Sequence, residues 1–413
     1  MFIRLASKSL LNRKGSVLLT LMAMSVSIFV LLGVEHIRHQ TKDSFNSTVS
    51  GVDLIVGART GSLNLLLYSV FRIGSPTNNI GWETYQAVAS NSKVAWSVPI
   101  ALGDSHKGYR VMGTTSDYFK HFRYGQKRQL EFSAGQQFSG IFDVVLGSEV
   151  ARKLGYTLGD PLVLAHGIAK TSFSLHDDMP FKVVGILETT GTPVDQTLHV
   201  SLQGIEAIHL NWQQGVKLPG RRVDREQLNP QALEPESITA FMLGLSSRMA
   251  TFRVQRDINN YAREPLSAIL PGVALSELWQ MMGLLENTLR LIAGLILIAA
   301  LLGLSAMMLA SIREREHEIH LLRVIGAPPL YLFLLIELEA ILIALTSIIL
   351  GLSGLYICLL TAGDFLASSF GLHIGTNIFS GDNTVFLLLI IGATIIAAMI
   401  PSFSAYRNAK ASL

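Results

Sequence analysis

The sequence predicts an α-helical integral membrane protein with four transmembrane helices and a large α+β extracytoplasmic domain between helices one and two. Three observations carry this reading. Four stretches, Val17–Val34, Leu291–Ile312, Ala340–Gly363 and Thr384–Tyr406, contain no charged residue. At 1.5 Å of rise per residue, about 20 residues cross the roughly 30 Å hydrocarbon core, and a helix satisfies its own backbone there. About 250 residues separate the first two stretches, too many for a loop, so they form a folded domain. Basic residues fall on alternate sides: Arg4, Lys8, Arg13 and Lys14 before the first stretch, Arg313, Arg315 and Arg323 after the second, Arg407 and Lys410 after the fourth. The short segment Asp364–Asn383 has neither Lys nor Arg. The positive-inside rule then expects both termini in the cytoplasm of an inner-membrane protein and the segment Glu35–Arg290 outside.

Composition agrees. The chain is 49% hydrophobic, with a mean hydropathy of +0.41. Its 33 basic and 30 acidic residues leave a net charge of +3, which argues against nucleic acid as a partner. The sole cysteine, Cys358, excludes an internal disulfide or a cysteine-rich metal site. A cleaved signal peptide is the alternative for the first stretch, but Gly33-Val34-Glu35-His36 lacks the small-x-small cleavage pattern, which favours a retained helix.

The expected order is as follows. Residues 1–15 form a cytoplasmic amphipathic segment, with Arg4, Lys8 and Asn12 on one face. Residues 16–34 are the first span and 35–280 the outer domain with stalk segments at both ends. A stalk and the second span occupy 281–312, and a cytoplasmic helix and loop 313–329. The third span is 330–363, a short outer loop 364–383, the fourth span 384–406, and the tail 407–413.

Within the outer segment, Phe142–Leu146, Leu162–Ala165, Phe181–Leu187, Leu198–Leu202 and Ile238–Leu245 read as strands. Ser148–Leu154, Leu202–Trp212 and Ser247–Tyr261 read as helices, and Gly155 suits a helix stop. This mixture is α+β. Val216–Glu236, polar and with three prolines, reads as a solvated loop or a contact for another protein. Leu63–Phe71 is nearly continuous apolar sequence but too short to span a membrane. It is either a core or membrane-abutting element or an apolar surface for a lipidic or peptidic cargo.

The cytoplasmic loop Glu314–Pro329 is the most informative segment. Ile319, Leu322 and Ile325 recur on one helical face, Gly326 suits a C-terminal stop, and Pro328-Pro329 prevents continuation. Such a short amphipathic helix suits docking in another protein's groove. The pattern Glu-Arg-x-x-Glu-Ile-x-x-Leu-Arg-x-x-Gly-Ala, filled by Glu314, Arg315, Glu318, Ile319, Leu322, Arg323, Gly326 and Ala327, resembles the signature of FtsX/MacB/Lol-like ABC transporter permeases. Glu339-Ala340 falls where that family tends to have Glu-Ala. Val144–Gly147, Ala151–Gly155, Gly159-Asp160 and Phe181–Leu187 look like its outer-domain pattern.

That resemblance implies a coupling helix driven by a cytoplasmic ABC ATPase dimer, a second permease copy (the same chain or a related one), and mechanical transmission to an outer domain. The outer domain would act on lipoprotein, peptide or other periplasmic cargo, in contact with membrane lipid and with a periplasmic protein or lipoprotein as a further candidate partner. No Gly-Lys dipeptide occurs, so no P-loop exists. The chain is therefore expected to be no enzyme and to carry no cofactor, with ATP bound by the partner. Glu337 and Glu339 are expected at the membrane interface or turned into the bundle.

Two alternatives remain. One is a signalling subunit that controls a periplasmic partner without moving cargo. The other is a metal-handling system: His166, His176, His199 and His209 gather in the outer segment, with Asp177-Asp178 beside His176. His166, His176, Asp177 and Asp178 are the candidate ligands, although no H-x-x-x-H spacing places a pair on one helix. No G-x-S-x-G elbow supports a hydrolase.

Overall fold

The computed structural model describes residues 2–411 apart from 126, 168–175, 178, 211, 214–215, 218–227, 229–232, 316–320, 322–323, 371–374, 376–377 and 379–380. It divides into two compact units: Met1–Thr41 with Met282–Leu366 and Ile374–Leu413, and Lys42–Met281 with Ala367–His373.

The first unit is helical. A short helix Phe2–Leu11 precedes four long ones, Lys14–Ser47, Pro271–Glu314, Pro329–Phe370 and Gly381–Ala411. Each long helix holds a stretch long and apolar enough to cross a membrane. The helices extend past the charge-free stretches. The first continues to Ser47 and the second begins at Pro271, so charged and polar turns are helical too. Asp364–Phe370, expected within an outer loop, continues the third helix.

Met24, Leu304, Ile343, Ala344 and Ala398 form one buried cluster of this bundle, and Ile28, Leu32, Leu355 and Ile390 another. Small residues set the close approaches, as apolar lipid offers little drive for helix association. A Cβ on Gly351 would lie 3.0 Å from the Ser25 carbonyl oxygen, which brings the first and third helices together. Ser305 Oγ donates to the Ala397 carbonyl at 2.9 Å, joining the second and fourth.

The second unit is built on a mixed sheet, with eleven strands among the described residues. In chain order these are β1 Leu54–Ala58, β2 Val94–His106, β3 Tyr109–Thr114, β4 Phe132–Gly135, β5 Asp143–Leu146, β6 Pro161–Leu162, β7 Ala165–His166, β8 Phe181–Leu187, β9 Thr197–Ser201, β10 Ala240–Leu245 and β11 Leu266–Ile269. The order is β11-β1-β10-β2-β3-β9-β5-β8-β4, with β7 paired to β2 and β6 to β8. The β9–β3 and β8–β5 pairings are parallel; the others are antiparallel.

Strands buried on both faces explain the continuous apolar runs. On β1, Ile55 joins the core with Tyr68, Met112 and Tyr118, while Leu54 and Val56 join Tyr85, Phe241 and Ile258 on the other face. On β5, Val145 lies on the first face and Val144 and Leu146 on the second, with period two.

The apolar run Leu63–Phe71 lies in this core. The helix Ser62–Ser69 buries Leu65, Leu66 and Tyr68 completely, and Phe71 stacks on Phe45 with centroids 4.5 Å apart. It is therefore not an exposed apolar surface for cargo. The expected strand Leu162–Ala165 is split into β6 and β7, and the helix from Leu202 ends at His209 rather than Trp212.

Two glycines of the outer-domain pattern are there for space. A Cβ on Gly147 would lie 2.2 Å from the Val194 carbonyl oxygen and 2.4 Å from that of Asp195; one on Gly185 would lie 2.2 Å from the Gln136 carbonyl oxygen. Backbone atoms cannot rotate away as a side chain can. Gly147→Ala should therefore destabilise the domain by about 3 kcal/mol, at the upper end of overpacking costs. A lowered thermal midpoint of the purified full chain would register this, and an unchanged midpoint would refute it.

Candidate functional site

At the loop end of the bundle, Arg315 closes the last turn of the second helix, its N–H donating to the Ser311 carbonyl at 3.2 Å. Its Nη1 donates to Glu339 Oε1 of the third helix at 3.1 Å, and the Glu339 side chain is 4% exposed. The loop motif's Arg315 and the separate family position Glu339 are thus joined by an ion pair whose acidic member is buried. Glu314 is exposed. Glu337, also in the third helix, is buried.

Glu318, Ile319, Leu322 and Arg323 lie outside the described residues. Beyond them, the Ile325 N–H donates to the Leu321 carbonyl at 3.1 Å, and Gly326 ends the turn with φ +98°. That left-handed conformation is the stop expected of Gly326. Ala327 is half-buried and begins the turn into the third helix. Leu321, Val324 and Ile325 are 61%, 71% and 82% exposed. These three apolar side chains are therefore presented outward.

A second ion-pair group joins the first two long helices. Arg290 grips Glu35 with both Nε and Nη2, at 3.1 and 3.0 Å. Arg38 also pairs with Glu35 and reaches Glu286 at 3.5 Å. In the sequence, Glu35 and Arg290 mark the bounds of the outer segment, and Glu35 also falls in the unsuitable cleavage segment. The available signal was opposite charge just beyond two facing apolar stretches.

In the second unit, four titratable side chains converge. Antiparallel pairing of β7 with β2 sets His166 directly opposite Asp104. His166 Nδ1 is 3.1 Å from Asp104 Oδ1. His209, at the C-terminal end of helix Leu202–His209, brings Nε2 to 3.6 Å from the same oxygen. The His166 and His209 rings stack at 4.6 Å, and the fully buried His176 stands edge-on to both at 4.7 and 5.2 Å. One ligand atom from each of the four lies within 4.8 Å of every other. Burial alone would push the Asp104 carboxyl up, but the His166 and His209 imidazoles beside it outweigh that and hold its pKa below the ordinary carboxylate range.

The expected ligand set is thus corrected. His166 and His176 do meet, but Asp177 is exposed in a turn and stands outside the group. Asp178 lies outside the described residues. Asp104 and His209 take their places. His199 stands apart as a core side chain of β9, stacked on Tyr118 at 5.4 Å. Burial, with the Arg72 charge nearby, pushes its pKa down to about 3, so it is neutral.

The family model described as the MacB-like periplasmic core domain matches residues 17–259, and the FtsX-like permease C-terminal model matches residues 290–410. The chain belongs to the MacB/FtsX-like family of ABC transporter permeases. In this permease the Arg315–Glu339 pair falls in the FtsX-like region and the Asp104–His cluster in the MacB-like region. It is a multi-pass membrane protein, with its MacB-like domain between the first and second apolar helices.

Among solved structures, the permease is similar to the periplasmic region of MacB from Actinobacillus actinomycetemcomitans, at 10% identity and a TM-score of 0.35, covering 56% of this chain and 94% of that one. It is also similar to the extracellular domain of the noncanonic ABC-type transporter YknZ from Gram-positive bacteria, at 12% identity and a TM-score of 0.30, covering 53% and 98%. The family assignment rests on the two family models alone. No curated protein matches the permease in sequence.

Proposed function

We propose that this chain is the permease subunit of an ABC transporter, driven by a separate ATPase and acting through its MacB-like domain on lipoprotein, peptide or other periplasmic cargo. One observation carries the reading: Leu321, Val324 and Ile325 stand exposed on the loop between the second and third long helices, in a family whose members work with ABC ATPases. Apolar side chains so exposed gain by being covered, and an ATPase groove would cover them. The Arg315–Glu339 pair fastens the second helix to the third at the root of that loop. A push on the loop would thus load both helices, and the second runs unbroken over 44 residues from Glu314 back to Pro271.

The absence of any Gly-Lys dipeptide supports ATP binding by a partner rather than by this chain. The distribution of Lys and Arg supports cytoplasmic termini in the inner membrane. The working unit would hold two permeases and two ATPases.

Reconstitution tests this. The purified chain in proteoliposomes should hydrolyse no ATP by itself, and co-expression with its cognate ABC ATPase should give a stable complex with hydrolysis above that of the ATPase alone. Hydrolysis by the isolated chain would overturn the assignment of roles. A reporter fused after Leu413 should be cytoplasmic and one inserted near Gly220 external; the reverse would overturn the topology.

A further inference from the structure

We propose that Asp104, His166, His176 and His209 form a binding site for a divalent transition metal ion of the zinc class. The site lies within the second unit alone and stands whether or not the coupling reading does.

The geometry fits an ion better than it fits hydrogen bonding. At metal–ligand distances of about 2.0–2.1 Å, neighbouring ligands of a tetrahedral site stand roughly 3.3 Å apart. The two distances from Asp104 Oδ1, 3.1 Å to His166 and 3.6 Å to His209, bracket that edge. At 3.6 Å the His209 contact is too long for a good hydrogen bond, and its Nε2, buried, has no hydrogen-bond partner. All four donor atoms converge within 4.8 Å, so small side-chain adjustments close them on one centre.

Charge points the same way. Asp104 is 3% exposed, and a buried carboxylate requires a counter-charge. Its charge partners among the described residues are the imidazoles of His166 and His209, at 3.1 and 3.6 Å. Charging both of those rings would set two cations face to face at 4.6 Å. A divalent ion held by neutral imidazoles removes that repulsion, and the ion itself supplies the missing positive charge. Three imidazole nitrogens and one carboxylate oxygen suit zinc and its neighbours; calcium and magnesium prefer oxygen throughout.

Access and support are present as well. The His166 and His209 side chains are 30% and 29% exposed, which opens one side of the group to solvent. On the inner side, the His176 backbone N–H donates to the Leu164 carbonyl at 3.0 Å, and antiparallel pairing fixes His166 against β2. The donors come from β2, β7, the segment at His176 and the helix ending at His209, so an ion would tie four parts of the domain together.

The full-length protein, purified in detergent with its affinity tag removed and stripped by chelator, tests the assignment with zinc alone. Dialysis and elemental analysis should find one zinc per chain, and X-ray absorption should show a nitrogen/oxygen shell at about 2.0 Å with imidazole scattering. Zinc should also raise the thermal midpoint. His176→Ala and His209→Gln should each weaken zinc by more than about 100-fold in chelator competition, beyond the cost of losing a mere supporting hydrogen bond. His121→Ala, in the same domain but outside the group, should bind as the parent does. His209→Gln alters a partly exposed side chain and keeps the test valid should His176→Ala fail to fold. Absence of zinc uptake at micromolar concentration, unchanged binding by His209→Gln, or a shell without imidazole would each overturn the proposal.

Discussion

Val324→Asp combined with Ile325→Asp will leave the permease folded and uncouple it from its ATPase. Both side chains are exposed, at 71% and 82%, and surface substitutions of this kind change stability by no more than about 0.5 kcal/mol. The thermal midpoint of the purified chain should therefore stay where it is. In the complex the same positions would be covered, and a carboxylate buried there without a partner costs a few kcal/mol. Each 1.4 kcal/mol is tenfold in affinity, so assembly should weaken by about 100-fold or more. The measurement is complex formation by size-exclusion chromatography together with the permease-dependent part of ATP hydrolysis. Assembly and stimulation equal to those of the parent would place the ATPase contact elsewhere.

Arg315→Ala should act on the fold of the bundle and on coupling together. It leaves Glu339 with a 4% exposed side chain and without its cation across the helix pair. Removing one partner of a buried ion pair costs about 3–5 kcal/mol, because the remaining charge keeps its desolvation penalty. Glu339→Gln should cost less, since a neutral amide still accepts a hydrogen bond from Arg315. The double exchange Arg315→Glu with Glu339→Arg should recover part of the loss. Thermal unfolding of the three variants, read beside ATPase stimulation, separates these outcomes. An Arg315→Ala protein as stable as the parent would show that the pair fastens nothing.

Much of the architecture was legible because hydropathy is a local property. A charge-free run such as Leu291–Ile312 declares itself without knowledge of its neighbours. The strands Phe181–Leu187 and Asp143–Leu146 were equally plain: Val144–Leu146 is a fully buried apolar run, and Phe181–Leu187 alternates buried residues with more exposed ones, Lys182 among them. Boundaries were less legible. Glu35, Arg38, Glu286 and Arg290 ended the apolar stretches by composition, yet the helices continue through them because these charges satisfy one another across the bundle.

The candidate sites divide in the same way. The loop signature was visible as a string, down to the stop at Gly326, because a helix end is specified by a few adjacent residues. The pairing of Arg315 with Glu339 spans the turn between two helices and follows from their packing. Of the histidine group, the sequence offered His166 and His176 with the adjacent Asp177 and Asp178. Adjacency along the chain misled, for Asp177 is exposed. Asp104 enters through the register of β7 on β2, and His209 through the docking of a helix.

By itself, then, the sequence determined the four apolar helices, the domain set between the first two and the permease signature of the loop, because each is written in residues close together along the chain. Tertiary structure alone decided that Leu63–Phe71 is core, that Arg315 meets Glu339 and that Asp104 joins three histidines. Those outcomes depend on strand register and helix packing, which bring together residues far apart in the chain, and no local pattern encodes the meeting.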